Sequence, residues 1–255
     1  NAEAPAFWLG KYTVTNRQYA RFLDAPDFAK EAYWLNFPKF DENSQAMQGN
    51  WSVEGWEWLE ETLKESNQKV LLPRLWDDKK YGQARPFAPV VGISWYEANA
   101  YANWLLANWT KWPESETLAK PASLRLPTRA EWVQAAGGAE PEERFPWDEV
   151  GKSGTTQSKD DQTIPTVTRH ANVSESKIGR TSPVWTYPQG VSQPYGLMDL
   201  GGNVWEWQAS YRNKSHNTLQ LSGGSWGSSW GSARVSALLN FDPHYGFNDY
   251  GFRVL

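Results

Sequence analysis

The same helix-starting motif occurs three times in this sequence and marks where three helices begin. These capping boxes are Thr15-Asn16-Arg17-Gln18, Ser94-Trp95-Tyr96-Glu97 and Thr128-Arg129-Ala130-Glu131. In each one the Ser or Thr oxygen accepts a hydrogen bond from the third helical backbone N–H, and the Gln or Glu side chain accepts one from the N–H of the capping residue. Apolar residues with helical spacing follow each motif, so the sequence predicts three amphipathic helices. A fourth is predicted near residues 56–65.

Between and after these helices the sequence predicts extended segments and loops. Short apolar runs at residues 7–12, 89–93 and 124–127 indicate short strands or extended approaches to the helices. The polar stretch 149–182 is typical of a surface loop, and beyond residue 184 short β-type runs alternate with Gly and Pro. No repeat or linker divides the chain, so we expect a single α+β domain over residues 1–255 with a small, loop-rich β region.

Tryptophan is the outlier in the composition, with 17 copies against two methionines and no cysteine. A large rigid indole fills space between loops at modest entropic cost, so we expect tryptophan to form the core of a loop-rich fold. The lack of cysteine excludes disulfides, thiolate metal ligands and cysteine nucleophiles in this sequence. The net charge of −4 argues against a nucleic-acid partner, and no apolar run approaches the roughly 18 residues that span a bilayer.

The C-terminal segment 223–255 has the composition of a binding surface. It begins with Gly223-Gly224-Ser225-Trp226 and ends with Gly251-Phe252-Arg253-Val254 before the last residue. Between these marks, residues 227–250 contain no Lys, Glu, Gln or Met, and small polar residues alternate with Phe241, Tyr245, Phe247 and Tyr250. Aromatic rings give contact area at low entropic cost, and Ser, Gly and Asn give adaptable hydrogen bonds. An ordinary solvated loop seldom carries four aromatic residues, so we expect a binding surface here.

Seven segments occur in order along nearly the whole chain. They are Phe7-Trp8-Leu9-Gly10-Lys11-Tyr12-Thr13-Val14-Thr15-Asn16, Pro89-Val90-Val91-Gly92-Ile93-Ser94-Trp95, Leu126-Pro127-Thr128-Arg129-Ala130-Glu131-Trp132, Phe145-Pro146-Trp147, Gly202-Asn203-Val204-Trp205-Glu206-Trp207, Gly223-Gly224-Ser225-Trp226 and Gly251-Phe252-Arg253-Val254. Together these segments resemble the formylglycine-generating enzyme (sulfatase-modifying factor) family. The resemblance implies a C-type lectin-like α+β fold, loop-rich and low in regular secondary structure.

The sequence departs from the enzymes of that family at the residues that carry their chemistry. The resemblance implies two cysteines between the Gly-Gly-Ser and Gly-Phe-Arg marks, which bind copper and oxidise a substrate cysteine. This interval holds Ser228, Ser229, Ser232 and Ala233 instead, and a hydroxyl does not replace a thiolate. The sulfoxide-synthase branch of the family uses iron held by clustered histidines, whereas the three histidines here, His170, His216 and His244, have no ligand spacing. We therefore predict no catalytic residues and no enzymatic activity.

A third branch that the resemblance includes is formed by the variable proteins of diversity-generating retroelements. The resemblance implies that adenine-directed mutagenesis rewrites AAY codons in the C-terminal segment. Such codons cannot reach Lys, Glu, Gln, Met or Trp, which matches residues 227–250 except at Trp230. Trp226, Trp230, Arg234, Pro243 and residues 251–254 are then framework. The predicted variable, ligand-binding positions are Gly227, Ser228, Ser229, Gly231, Ser232, Leu239, Asn240, Phe241, His244, Tyr245, Phe247, Asn248 and Asp249.

The predicted function is therefore non-catalytic binding of a protein or surface-molecule ligand by a monomer that requires no cofactor. Two alternatives remain open at this point. One is an oxidase of the formylglycine-generating or sulfoxide-synthase type, which the missing cysteines disfavour. The other is an interaction module on the same fold whose C-terminal segment does not vary.

The resemblance also implies two structural calcium sites. The first maps to Asp199, Gly202, Val204 and Glu206, and the second maps to Asn172, Val173, Ser176 and Ile178. Calcium takes six to eight oxygen ligands of mixed carboxylate and carbonyl type, but Ser176 replaces an acidic ligand in the second set. Alternatively, Asn203 and Glu206 satisfy backbone groups of the loop.

Other charged residues have simpler interpretations. Glu54, Glu57, Glu60 and Glu61 are expected on a solvated helix face, because no partner with a perturbed pKa is evident for acid–base chemistry. Arg125, Arg129 and Arg253 could bind an anion, but structural pairing with carboxylates is the favoured interpretation.

Overall fold

The computed structural model describes residues 6–47, 54–111, 117, 119–139, 142–150, 163–213 and 218–255. These residues form five α-helices: α1 (Asn16–Leu23), α2 (Glu54–Ser66), α3 (Trp95–Ala107), α4 (Arg129–Ala135) and α5 (Thr163–His170). Within the described ranges, no helix has both the length and the apolar character needed to cross a membrane.

The three predicted capping boxes are confirmed at the starts of α1, α3 and α4. The backbone N–H of Thr15 donates to Gln18 Oε1 at 2.9 Å, and that of Ser94 donates to Glu97 Oε2 at 2.6 Å. The corresponding bond at Thr128 reaches Glu131 Oε2 at 2.7 Å. The fourth predicted helix is also present, as α2.

The prediction of a surface loop over residues 149–182 is wrong in its second half. Helix α5 lies there, followed by a 3-10 helix at Ser174–Ser176, and Val167, Ala171 and Val173 are buried beside Phe145. The sequence TIPTVTRH is rich in β-branched residues, whose low helix propensity concealed the helix. Residues 151–162 lie outside the described part of the chain.

Four strands form one mixed sheet in the C-terminal half. They are β1 (Trp205–Asn213), β2 (Thr218–Ser222), β3 (Leu238–Phe241) and β4 (Tyr250–Gly251), in the spatial order β3-β2-β1-β4. Strands β1 and β2 pair antiparallel, as do β2 and β3, whereas β1 and β4 pair parallel. The apolar runs at 7–12, 89–93 and 124–127 are not strands of this sheet but extended segments, and Pro89 forms an isolated bridge with Thr15.

The two faces of the sheet differ sharply in polarity. Trp207, Ala209 and Tyr211 of β1 and Leu219 and Leu221 of β2 join the main hydrophobic core together with residues of α1 and α3. Because side chains alternate along a strand, the intervening residues point to the other side. They are all polar and buried, namely Glu206, Gln208, Ser210, Gln220 and Ser222.

The core is aromatic, as the tryptophan excess predicted. Trp34, Trp95, Trp132 and Trp207 are among the largest fully buried side chains. The buried indole N–H of Trp95 has a partner, since its Nε1 donates to the carbonyl of Gln208 at 2.9 Å. Not every tryptophan is buried, since Trp8 and Trp185 are exposed.

Glu97, the glutamate of the capping box of α3, has a carboxyl group with a raised pKa. Burial raises the pKa of its carboxyl from 4.5 to about 7, against the lowering effect of the hydrogen bonds from Ser94 and of the charge of Arg74. The folded state therefore keeps the proton of Glu97 over a pH range in which the unfolded state releases it. The stability that Glu97 contributes is present below its ordinary pKa and is lost as the pH rises to about 7.

We expect Glu97→Gln to remove this pH dependence, because the amide keeps an acceptor for the N–H of Ser94 and carries no charge. The free energy of unfolding of the variant minus that of the wild type should rise by about 1–3 kcal/mol between pH 4.5 and 7.5, measured by urea denaturation.

Glu131→Gln is the matched control. Burial raises the pKa of the Glu131 carboxyl, but hydrogen bonds from Arg125 and Thr128 lower it below its ordinary value overall. Its contribution is present above the ordinary pKa and is lost as the pH falls, so the control should be less stable than the wild type at neutral pH and approach it in acid. A difference for Glu97→Gln that does not change with pH would contradict the assignment.

Candidate functional site

The C-terminal segment lies against the sheet and is anchored at both of its ends. After β2, Gly224 adopts a positive φ of 75°, and a Cβ there would lie 2.6 Å from the carbonyl oxygen of Ser232. The chain then forms a 3-10 helix at Trp230–Ala233. It pairs with β2 as the edge strand β3 and with β1 as the opposite edge strand β4. The segment therefore contributes two strands and the loops beside them.

The far anchor is an ion pair between Arg253 and Glu206. Arg253 Nη2 lies 2.6 Å from Glu206 Oε1, its Nε lies 2.7 Å from Oε2, and both side chains are 0% exposed. Trp132 Nε1 adds a hydrogen bond to Glu206 Oε2 at 2.8 Å. The same guanidinium donates to the carbonyls of Gly10 and Met198, each at 2.9 Å. The favoured sequence interpretation, structural pairing, is confirmed for Arg253.

The arginines of the capping region divide into two kinds. Arg125 pairs with Glu131, with 2.7 Å between Arg125 Nη2 and Glu131 Oε1, so structural pairing is confirmed there too. For Arg129 the expectation of a carboxylate partner is wrong, because its guanidinium donates to the hydroxyl of Ser222 and the carbonyl of Val235. Among the glutamates of α2, Glu57, Glu60 and Glu61 are exposed as expected, whereas Glu54 pairs with Lys39 at 2.6 Å.

The thirteen predicted binding positions share one property in the structure. Each of them is exposed or partly exposed, and none is buried. The buried residues between 227 and 250 are all outside that set, namely Ala233, Val235, Pro243, Gly246 and Tyr250. Gly246 is also sterically fixed, since a Cβ there would lie 2.5 Å from the backbone of Ile93. Which of the thirteen positions vary, and which bind a ligand, stays a prediction.

An aromatic patch, defined by Phe241, Tyr245 and Phe247, occupies the exposed edge of this segment. The ring of Phe241 lies 5.0 Å from that of Phe247 and 6.3 Å from that of Tyr245, in edge-to-face arrangements. Tyr245 and Phe247 are 48% and 41% exposed. An exposed cluster of this kind is typical of a contact surface.

His244 precedes Tyr245 of the aromatic patch in the sequence. Its Nδ1 lies 2.5 Å from Asp242 Oδ1, and its ring meets Tyr96 edge to face at 5.2 Å. Its side chain is exposed.

A hydrogen-bonded network joins the two loops of the segment. Ser225 Oγ lies 2.7 Å from Asp249 Oδ2 and 2.9 Å from Ser228 Oγ, while Trp205 Nε1 donates to Ser228 Oγ at 3.0 Å. Burial raises the pKa of the Asp249 carboxyl, and the hydrogen bond from Ser225 opposes that effect. Ser228 and Asp249 therefore connect the loops to the framework, in addition to any contact with a ligand.

The enzymes of the resembled family are expected to carry cysteines between the Gly-Gly-Ser and Gly-Phe-Arg marks. In this chain the described residues of that interval do not form a reactive centre. Ala233 is buried, and Ser228 is engaged in the network with Ser225 and Trp205. His170 stacks on Trp147 at 5.1 Å, and His216 lies outside the described residues. Within the described ranges, no three His, Asp or Glu side chains are grouped closely enough to hold a metal ion.

The first predicted calcium site contains two carboxylates, those of Glu206 and Asp199, which differ in their hydrogen-bond partners. Both oxygens of Glu206 already accept hydrogen bonds from Arg253, so a cation there would compete with a buried guanidinium. Asp199 is buried, and it accepts a hydrogen bond from Asn203 at 3.3 Å. The carbonyl of Gly202 accepts from the N–H of Val204 at 2.9 Å. Of these four residues, Asp199 is the acidic group best placed to serve a cation.

The second predicted calcium site contains an acceptor that fits a cation. Asn172 Oδ1 is buried and has no hydrogen-bond partner, while its Nδ2 donates to the carbonyl of Arg180 at 2.9 Å. The hydroxyl of Ser176 donates to the carbonyl of Ala171 at 2.9 Å and accepts from the N–H of Val173 at 3.1 Å. Ile178 is exposed. Asn172 is the residue that would hold a cation here, and calcium stays a prediction at both sites.

With the fold and the segment described, comparison with known proteins decides the family. Residues 1–255 match the family model described as Sulfatase-modifying factor enzyme 1-like domain. The chain belongs to this sulfatase-modifying factor family. The fold class expected from the resemblance, a loop-rich α+β fold of the formylglycine-generating-enzyme type, is confirmed.

Relatives in the family include an enzyme and a protein named inactive. The chain is 30% identical over 213 residues to the formylglycine-generating enzyme of Thermomonospora curvata, covering 80% of this chain and 60% of that protein. It is 32% identical over 174 residues to the inactive C-alpha-formylglycine-generating enzyme 2 of Bos taurus, covering 65% and 49%. The chain thus spans 60% of the length of the first relative and 49% of the length of the second.

Solved structures show the same fold at low sequence identity. CarF superposes with a TM-score of 0.51 and 23% identity, covering 96% of this chain and 84% of that chain. Treponema denticola variable protein 1 reaches a TM-score of 0.48 with 22% identity over 66% of this chain and 71% of that chain, a similarity too low to support any conclusion about function.

The structure adds residues that the sequence did not point to. Leu238 is exposed but was not among the thirteen positions, although leucine is reachable from an AAY codon. The buried ring of Tyr81 packs on Trp226 at 5.8 Å, and the Nζ of the exposed Lys80 lies 5.5 Å from the Trp226 ring. These two residues are about 145 positions from Trp226 in the sequence, so no local pattern could have placed them there.

We expect Arg253→Met to destabilise the fold by about 3–5 kcal/mol, because it leaves the buried Glu206 carboxylate without its partner. Arg125→Met, which breaks the less buried pair with Glu131, should cost about 1–2 kcal/mol. Urea denaturation measures both, and equal losses would contradict the anchoring role of Arg253.

For the second calcium site we expect Ser176→Asp to strengthen calcium binding at least tenfold, because affinity rises with ligand charge. Calorimetric titration with calcium measures this, and Ser229→Asp, at an exposed position of the C-terminal segment, serves as the control. Equal calcium affinity in both variants would show that calcium does not bind at the second predicted site.

Proposed function

We propose that this chain is a ligand-binding protein that displays a hypervariable C-terminal surface on a fixed scaffold of the sulfatase-modifying factor family, and that a retroelement diversifies this surface. The ligand is a protein or a surface molecule. Binding occurs without catalysis, by shape and contact rather than by bond making.

The observation that carries the proposal is the separation of exposed from buried positions within residues 227–250. All thirteen predicted positions are exposed or partly exposed, whereas the buried residues of the segment, which include Ala233, Val235 and Tyr250, fall outside that set. A segment that is rewritten at random must keep its buried side chains constant, because core substitutions cost several kcal/mol. Exposed side chains that make no contact with the framework carry no such constraint, whereas Ser228 and Asp249 are held by hydrogen bonds with Ser225.

The aromatic patch supports a binding role for this surface. Phe241, Tyr245 and Phe247 give rigid contact area, and Ser229 and Asn248 nearby give adaptable hydrogen bonds. Lys80, from the fixed part of the chain, is exposed next to Trp226. It would add a constant contact to variable ones.

The absence of catalysis is proposed from the sequence. Oxidation of a thiol by copper in this family depends on cysteines in the C-terminal interval, and this sequence has none. Turnover of a thiol substrate by the purified protein with added copper or iron would favour the oxidase alternative and overturn this part of the proposal.

The decisive test of diversification lies in the DNA around the gene. The proposal requires a nearby near-copy of the sequence encoding residues 227–249 that differs at adenines, together with a reverse transcriptase. Sibling sequences with an unchanging segment and a genome without such a copy would instead indicate a non-variable interaction module.

At the protein level, we expect the exposed positions to tolerate replacement. Substituting Ser229, Tyr245 and Phe247 together by Asn, Ser and His should change the free energy of unfolding by about 1 kcal/mol or less. Val235→Ala, the buried control in the same segment, should cost about 2 kcal/mol or more. Comparable losses, measured by urea denaturation, would show that the exposed positions are structural.

A further inference from the structure

A row of three amide side chains crosses the polar face of the sheet. Gln220 on β2 and Asn240 on β3 are register partners, and Gln208 follows Trp207 on β1, which pairs with Leu221. Strand alternation directs all three side chains away from the main core, whose members in β3 are Leu239 and Phe241. Directly opposed residues on one face have Cβ atoms about 5 Å apart, so Gln220 and Asn240 are neighbours. Gln208 lies on the same face of the adjacent strand, at the start of a register irregularity between Trp207 and Tyr211.

The amides of this row lack partners although they are buried. Gln208 is 0% exposed and neither Oε1 nor Nε2 has a hydrogen-bond partner, and Gln220, 4% exposed, has an unpaired Oε1. Asn240 Oδ1 is buried and unpaired as well. Folded proteins rarely leave such groups unsatisfied, so each one calls for a water molecule or a ligand. Three amide oxygens in one row require hydrogen-bond donors.

The guanidinium of Arg129 contacts the same face of the sheet, and no anionic partner for it lies among the described residues. The backbone N–H of Arg129 donates to Ser210 Oγ at 3.0 Å, and its side chain donates to the hydroxyl of Ser222. Ser210 and Ser222 each stand two residues from an amide of the row, on the same face. No carboxylate pairs with Arg129 among the described residues, and burial lowers the pKa of its guanidinium to about 10. A buried cation of this kind favours an anionic group beside it.

We propose that the amide row and Arg129 bind a free amino acid. Its ammonium group has three N–H donors for the amide oxygens of Gln208, Gln220 and Asn240, and its carboxylate is the anion that Arg129 lacks. The remaining donor, Gln208 Nε2, serves the same carboxylate. Asn240 and Arg129 are partly exposed and Leu238 is exposed, so the row opens to solvent at the β3 edge of the sheet.

This site is separate from the surface of the proposed function. The aromatic patch is built around Phe241, whose ring packs on Tyr250 at 5.6 Å on the core side of the sheet. The amide row lies on the opposite face. Asn240 is the one residue that belongs to both the row and the thirteen predicted positions, so binding of an amino acid does not require the segment to vary.

The test is thermal unfolding of the whole chain with each standard free amino acid, followed by calorimetric titration of those that raise Tm. The best amino acid is compared with its α-hydroxy acid, which lacks the ammonium, and with its methyl ester, which lacks the carboxylate. We expect the amino acid to raise Tm and both analogues to lose at least tenfold in affinity.

Variants then locate the binding. Asn240→Ala at the mouth and Gln208→Leu inside the row should each weaken binding at least tenfold, whereas Gln83→Leu, at an exposed glutamine far along the chain, should not. Gln208→Leu removes an unsatisfied amide, so the unliganded variant should keep or gain Tm, and its loss of binding cannot be ascribed to unfolding. Binding unchanged in both row variants would overturn the proposal.

Failure is equally distinct. If no amino acid shifts Tm and Gln208→Leu is simply more stable, then water alone satisfies the row and the proposal is wrong. That result leaves the proposed function of the C-terminal surface untouched, because it does not involve the aromatic patch.

Discussion

The buried ion pair between Glu206 and Arg253 is the interaction on which the rest of the structure depends. It joins β1 to the last residues of the chain, and Arg253 extends the link to the carbonyls of Gly10 and Met198. Removing two charges from water is costly, and the pair repays that cost only because each polar atom has a partner of good geometry. Trp132 of α4 supplies one of those partners, so helix, sheet and both ends of the chain are connected through a single carboxylate.

This anchor explains how a segment rich in glycine and serine can still hold a defined shape. Residues 227–250 lie between the Gly-Gly turn at Gly223–Gly224 and the fixed Arg253, and they are closed further by the network of Ser225, Ser228 and Asp249. A loop held at both ends loses little when its exposed side chains change, because its backbone is positioned by contacts elsewhere. The shape of the segment is thereby set largely by residues outside its exposed positions.

The two faces of the sheet show that burial alone does not define a core. On one face Trp207, Leu219 and Leu221 pack among aromatic rings, and on the other Gln208 and Gln220 are just as buried but polar. Polar groups in such a position must be satisfied, and Glu206 is satisfied by Arg253 whereas the amides of Gln208 are not. The difference separates a satisfied polar network from polar groups that still require hydrogen-bond partners.

The sequence by itself determined the local events and the bulk character of this protein. Capping boxes act within four residues, so the starts of α1, α3 and α4 were predictable, and the tryptophan excess indicated an aromatic core. The order of motifs indicated the family. Only the tertiary structure shows that α5 forms from β-branched residues packed on Phe145, and that Arg253 has a carboxylate partner while Arg129 has none in the described part of the chain. It also places three buried amides of different strands on one face of the sheet. These outcomes depend on pairing between residues far apart in the chain, which no local pattern encodes.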